Sequence, residues 1–195
     1  VAWLHVLSSV AWLSQALGLM TLLAVGLRGP SAAATSMAHR LDTLLLAPMA
    51  NAAAFTGLLL AGATAWGFFR HWWVLVKFVL TIAQLYAGIF LLSPALGDLA
   101  EAPRTVPWQL IAGTAVMVGA LAFQVWVSIA KPWSKTPWSP ARRPETAPRW
   151  VFVLGVAAPV VDTIAGLLLG YPLPALSLVM LVVLLSGRRP RLVTA

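Results

Sequence analysis

Residues Val1 to Leu27 contain no Asp, Glu, Lys or Arg. An apolar run of that length can cross a bilayer as an α-helix, which needs about 20 residues. The same run carries His5, Ser9, Trp12 and Gln15 at i, i+4, i+7 and i+10, one face of a helix. Lipid offers such a stripe no hydrogen-bond partner, so it must face protein, water or a ligand. Ser31-Ala32-Ala33-Ala34 has the small side chains of a signal-peptide cleavage site. The apolar run, however, is much longer than an h-region of about 7–15 residues and lacks a basic n-region. The segment is expected to remain as a membrane helix.

Composition extends this to the whole chain. Hydrophobic residues make up 61% and charged residues 9%, against about 25% charged in a soluble domain. So little polar shell cannot cover a water-soluble core, and an integral membrane protein is expected. The chain has no cysteine, which excludes disulfides, thiolate metal sites and thiol nucleophiles. The net charge of +8 does not point to nucleic acid, because the basic residues sit in short loops between apolar runs. That pattern fits membrane topology and contact with anionic lipid headgroups.

Apolar segments run over Val1–Leu27, His39–Phe69, Trp72–Leu92, Val106–Ala130, Trp150–Leu169 and Leu173–Ser186. The first ends at Arg28-Gly29-Pro30 and the third at Ser93-Pro94, where Gly and Pro stop a helix. Pro48 should kink the second, with Asn51 one turn later where the freed backbone needs partners. The last is short and follows the turn Gly170-Tyr171-Pro172-Leu173-Pro174. The fold class is an all-α polytopic transmembrane bundle of about six spans. Residues 1–130 form a four-helix unit, and residues 131–149 a linker rich in Pro and basic residues, extended and exposed. Residues 150–195 form a C-terminal hairpin with a basic tail; the alternative for that hairpin is a re-entrant pair.

With these spans, nine basic residues fall on the N-terminal side: Arg70, Lys131, Lys135, Arg142, Arg143, Arg149, Arg188, Arg189 and Arg191. Arg28, Arg40 and Arg104 fall on the other. The positive-inside rule makes the richer side cytoplasmic, with both termini there. Trp72, Trp73, Trp133, Trp138 and Trp150 form the aromatic belt of that side.

The third segment has its own polar stripe, Lys77, Thr81 and Gln84 at i, i+4 and i+7. His5 and Lys77 both lie about five residues into their spans, roughly 7–9 Å deep. Matching depth suggests one pocket in the cytoplasmic leaflet. An imidazole is a common heme ligand, and a nearby cation could neutralise a propionate. The simpler alternative is interhelical hydrogen bonding and snorkelling. His71 is a candidate axial partner for His5, or an interface anchor. His39 is a candidate metal ligand on the opposite side. Asp162, deep in the fifth segment after Pro159, is a candidate proton or ion relay, or a carboxyl bonded to a neighbouring helix. Phosphate loops, dinucleotide fingerprints, nucleophile elbows and zinc-binding His-Glu helices are missing.

Leu4-His5-Val6-Leu7, followed by Trp12, resembles the opening of several small bacterial membrane families. These are the copper-resistance D family, the heme b-bearing membrane protoporphyrinogen oxidases, and a family of uncharacterised integral membrane proteins. The last is most similar, through the run from Arg70-His71-Trp72-Trp73 to Lys77-Phe78-Val79-Leu80-Thr81. The resemblance covers roughly the first 95 residues and implies architecture. The oxidases imply a heme site using His5 and Lys77, but their Pro-Arg-Leu stretch is replaced by Ser14-Gln15-Ala16-Leu17. The copper family implies metal handling, here without cysteine or a methionine cluster. Three functions are left open: a heme b or redox protein built on His5, a proton-coupled or copper permease using Asp162, and an accessory subunit that binds other membrane proteins or a second copy.

Overall fold

The computed structural model describes residues 1–139, 146–169 and 175–186. Among these the architecture is all-helical, with one isolated antiparallel bridge between His71 and Lys135. The helices are α1 (Ala2–Gly26), α2 (Ala32–Leu41), α3 (Ala47–Ala63), α4 (Trp72–Ala87), α5 (Ser93–Glu101), α6 (Trp108–Ala130), α7 (Arg149–Leu169) and α8 (Ala175–Ser186). A π-helical turn, Asp42–Leu46, joins α2 to α3 without a break. A second, Gly88–Leu92, joins α4 to α5 in the same way. Ala32–Ala63 and Trp72–Glu101 are therefore continuous helices of 32 and 30 residues.

Among the described residues four helices are long and apolar enough to cross a membrane: α1, α2–α3, α4–α5 and α6. They run up and down. At one end the backbone N–H of Val106 donates to the Gly26 carbonyl at 3.0 Å, tying the start of α6 to the end of α1. At the other end Lys131 follows α6 and stands near Trp66, which follows α3. Large apolar side chains such as Val6, Val10, Val79, Ile82, Val116 and Trp126 are exposed on the outside. That is the surface lipid requires. With 12 residues, α8 is about 18 Å long, short of a hydrocarbon core of about 30 Å.

The core lies in three stacked clusters. Leu19, Leu23, Ala38, Leu96, Leu99, Val106 and Leu110 fill the end that holds the α5–α6 connection. Trp12, Ala16, Ala50, Ala53 and Leu121 fill the middle. Leu59, Ala63, Val151, Ala158, Met180 and Leu184 fill the end that holds Val1 and dock α7 and α8 onto α3. Small residues on α3 permit close packing, as membrane interfaces require when lipid competes on equal terms for large apolar groups.

Several boundaries differ from the sequence reading. The second span starts at Ala32, not His39, because Ser31 caps it: its hydroxyl accepts the Ala34 N–H at 3.3 Å. It ends at Ala63, before a turn in which Gly67 takes a φ of 68°. That left-handed conformation favours glycine. The third span does not stop at Ser93-Pro94 but continues to Glu101. The start of the linker is exposed, as expected, but it folds back on the bundle instead of extending away from it. Lys131 takes a left-handed conformation (φ 45°) and turns the chain back. The Thr136 N–H then donates to the Arg70 carbonyl at 3.0 Å, its hydroxyl donates to the Phe69 carbonyl at 2.5 Å, and Thr136 is buried. Farther on, the Ala147 N–H donates to the Ala63 carbonyl at 2.8 Å. The expected turn Gly170–Pro174, the linker residues Pro140, Arg142, Arg143 and Pro144, and the tail residues Arg188, Arg189 and Arg191 lie outside the described residues.

A Cβ on Gly155 of α7 would stand 2.6 Å from Leu59 Cδ2, and Leu59 is completely buried. Gly155→Val should therefore destabilise the α3–α7 contact by about 1–3 kcal/mol. Its melting midpoint in detergent should fall, and Leu59→Ala in the same chain should recover part of the loss.

Candidate functional site

The two π turns are built from matching sequence. Asp42-Thr43-Leu44-Leu45-Leu46-Ala47-Pro48 aligns with Gly88-Ile89-Phe90-Leu91-Leu92-Ser93-Pro94, 46 residues later, and both end in Leu-Leu-small-Pro. Proline has no N–H, and in a straight helix its ring strikes the carbonyl four residues back. Here those carbonyls belong to Leu44 and Phe90. Widening the preceding turn moves them aside. The residue before each proline bonds five residues back instead of four: Ala47 N–H to the Asp42 carbonyl, and Ser93 N–H to the Gly88 carbonyl. The backbone donors are satisfied without water, as the membrane interior demands.

The two turns lie at one level. Ten residues of α2 precede the first and nine residues of α5 follow the second. Both therefore sit roughly 14 Å from the same end of the bundle. Since the helices run antiparallel, the first residue of one turn meets the residue that closes the other. The Ser93 hydroxyl donates to Asp42 Oδ2 at 2.5 Å. The equivalent pair on the other side of this local two-fold is Ala47 and Gly88, which have no polar side chain to offer. A cavity of about 170 Å³ opens there, lined by Asp42, Ala47, Asn51, Gln84, Gly88 and Ser93 among others. Asp42 is 6% exposed, and among the described residues its carboxylate makes this one hydrogen bond. A buried carboxylate with spare acceptor capacity facing a cavity can hold a proton or a small cation.

Next to the cavity, α4 and α6 are joined by a polar ladder. Lys77 Nζ donates to Ser128 Oγ at 2.6 Å, and Ser128 Oγ donates to the Gln124 carbonyl at 2.7 Å. The Thr81 hydroxyl donates to Gln124 Oε1 at 3.1 Å. Gln124 Nε2 donates to Gln84 Oε1, and Gln84 Nε2 donates to the Met117 carbonyl at 3.2 Å. The stripe of Lys77, Thr81 and Gln84 thus faces α6.

His5 faces a different helix. Its Nδ1–H donates to the Ala53 carbonyl of α3 at 2.9 Å and lies 3.2 Å from Thr56 Oγ1. The ring packs on Gly57, where a Cβ would come within 2.9 Å of His5 Cε1. His5 and Lys77 are within electrostatic reach, but each is bonded to its own neighbour. The buried face of α1 includes Ser8, not Ser9, and Ser8 donates back to the Leu4 carbonyl at 2.8 Å. Gln15 Oε1 is buried without a partner.

The remaining candidates are separate. His71 precedes α4, with its Nδ1–H donating to the Trp66 carbonyl at 3.3 Å and its ring edge-on to Trp66 at 5.5 Å. His39 lies on α2 against Gly97 of α5, with Nδ1 buried and unpartnered. Asp162 accepts the N–H groups of Leu176 and Ser177 at 3.0 and 2.7 Å. It caps the first turn of α8, where the helix dipole favours negative charge. Among the described residues no three His or acidic side chains gather as a metal site. The sequence reading passed over Asp42 and Ser93 as candidates; their signal was the repeated Leu-Leu-small-Pro with an acid six residues before the first proline.

No protein-family model matches this chain, and neither a curated protein nor a solved structure matches it.

Asp42 and Ser93 should be energetically coupled. Ser93→Ala should lower stability by about 0.6 kcal/mol and at most about 1.7 kcal/mol, the average and the maximum for intramembrane hydrogen bonds. In an Asp42→Asn background the same substitution should cost less, which a double-mutant cycle of unfolding in detergent would measure.

Proposed function

We propose that this protein is a small-ion permease of a bacterial inner membrane, with Asp42 as its ion-binding carboxylate. The observation that carries this reading is the half-satisfied, buried Asp42 in a cavity between two paired π turns. Ionisable groups within spans mark ion or proton pathways by default, and π turns cluster at functional sites. The lining donors are carboxylate, amide and hydroxyl oxygens, which suit hard ions. A single carboxylate balances one positive charge. The ion is therefore a proton or a monovalent cation such as sodium; copper would favour sulfur or imidazole ligands. Both termini are placed in the cytoplasm on the asymmetry of basic residues, which sets the cavity in the outer half of the bilayer. Asp162 is not part of this reading, because its oxygens are engaged at α8.

The test is flux into proteoliposomes under an imposed proton or sodium gradient. Asp42→Asn, which keeps shape and loses charge, should abolish uptake. Ala47→Leu, which fills the cavity, should reduce it severalfold, and Asp162→Asn should leave it near the unsubstituted rate. Full flux in Asp42→Asn would remove Asp42 from the pathway.

A second reading attaches heme b to His5. Its support is the Nδ1–H bond to the Ala53 carbonyl, which fixes the tautomer and leaves the Nε2 lone pair open, as in a metal-ligating histidine. The rest of the proposed pocket fits less well: Lys77 is bonded to Ser128, His71 to Trp66, and neither described cavity contains His5. Heme would supply one-electron chemistry there. Chain expressed with abundant heme should show a reduced-minus-oxidised α-band that His5→Ala removes; a spectrum without bands would end this reading.

A further inference from the structure

At the end of the bundle opposite the Asp42 cavity, Arg70 is 4% exposed, and its Nε and Nη1 have no hydrogen-bond partner. A buried guanidinium with two of its nitrogens unpartnered among the described residues is expensive to maintain. It lines a second cavity of about 130 Å³ together with Ala65, Trp66, His71 and Lys135. That volume is close to one known to hold a molecule of six heavy atoms, so a phosphate group fits. Carboxylates are placed elsewhere among the described residues. Asp42, Asp98 and Glu101 belong to the α2–α5 end, and Asp162 caps α8.

We propose that Arg70 and Lys135 form a binding site for a phosphate group, supplied either by a phospholipid headgroup or by free phosphate. The fold assembles the site deliberately. The left-handed turn at Lys131 sends the chain back across the α3–α4 connection, and its ammonium lies 5.2 Å from the Trp66 ring. The bridge between His71 and Lys135 then brings Lys135 beside Arg70. The guanidinium offers a planar fork matched to phosphate oxygens, and the lysine adds a point charge. The N-terminus of α4 begins two residues after Arg70, at Trp72, and adds its positive dipole end. Trp72 and Trp138 pack edge-on 5.4 Å apart nearby, the aromatic setting of a headgroup boundary. The site is independent of ion binding at Asp42.

The full chain, purified in neutral detergent and stripped of lipid, would be titrated with phosphatidylglycerol, with inorganic phosphate, and with diacylglycerol as the phosphate-free control. Melting midpoint and native mass spectrometry give the readouts. One phosphatidylglycerol should bind per chain and raise the midpoint, while diacylglycerol should not. Lys135→Gln, at an exposed position that folding tolerates, should weaken binding about fivefold, the effect of one cation near a membrane surface. Arg70→Gln should weaken it more than tenfold, as loss of charge-assisted bonds implies. Arg28→Gln, at the other end, should leave it unchanged. A response to inorganic phosphate as well as to lipid assigns the site to phosphate in general; a response to the lipid alone assigns it to the headgroup. Equal stabilisation by diacylglycerol, or equal affinities for Lys135→Gln and Arg28→Gln, would overturn the proposal.

Discussion

Pro48 and Pro94 each remove a hydrogen-bond donor from a helix that has no water to replace it. Everything distinctive about this bundle follows from how the chain absorbs that loss. A break would expose backbone carbonyls to lipid at several kcal/mol per group. A π turn widens the helix instead, keeps it continuous and satisfies the donors on either side. Because the two prolines stand at one level in antiparallel helices, the two widened turns face each other. Ser93 and Asp42 close one half of that meeting, and the small residues Ala47 and Gly88 leave the other half hollow.

The buried polar groups fall into two kinds. Those of the α4–α6 ladder are bonded in sequence from Lys77 to Gln84, and Asp162 has two backbone donors at α8. Such groups hold helices together and have little capacity left for a ligand. Asp42 and Arg70 differ. Each is more than nine-tenths buried, each lines a cavity, and each keeps unused hydrogen-bonding capacity. One is an anion near one end and the other a cation near the opposite end. Charge and incompleteness together set them apart from the bonded groups.

The four spanning helices were legible because apolar length is a strong signal and α1 has no charge at all. The polar stripe of Lys77, Thr81 and Gln84 was legible too, since helical spacing fixes which side chains share a face. Periodicity cannot say which helix that face meets, and the stripe turned to α6 while His5 turned to α3. Ser93-Pro94 reads as a stop because proline usually ends a helix in water. In lipid, ending it there is the more costly choice, and the helix runs on to Glu101. With the second segment starting at His39, Asp42 falls in its first turn and reads as an interfacial group. Its depth within the span comes from the start at Ala32, which small residues announce only weakly. Thr136 illustrates the same limit: a Pro-rich stretch is open by composition, but a bridge to residues about 65 positions earlier is a tertiary choice.

The central claim is that Asp42 is an ion-binding carboxylate within the membrane. Its most direct test is modification by a lipid-soluble carbodiimide, which attacks carboxyl groups in the protonated state, with the modified residue located by peptide mass. The account predicts labelling at Asp42 that falls progressively as sodium, or hydroxide if the ion is a proton, displaces the reactive form. Labelling of Asp42 that neither ion changes, or none at Asp42 while other acids react, would contradict it.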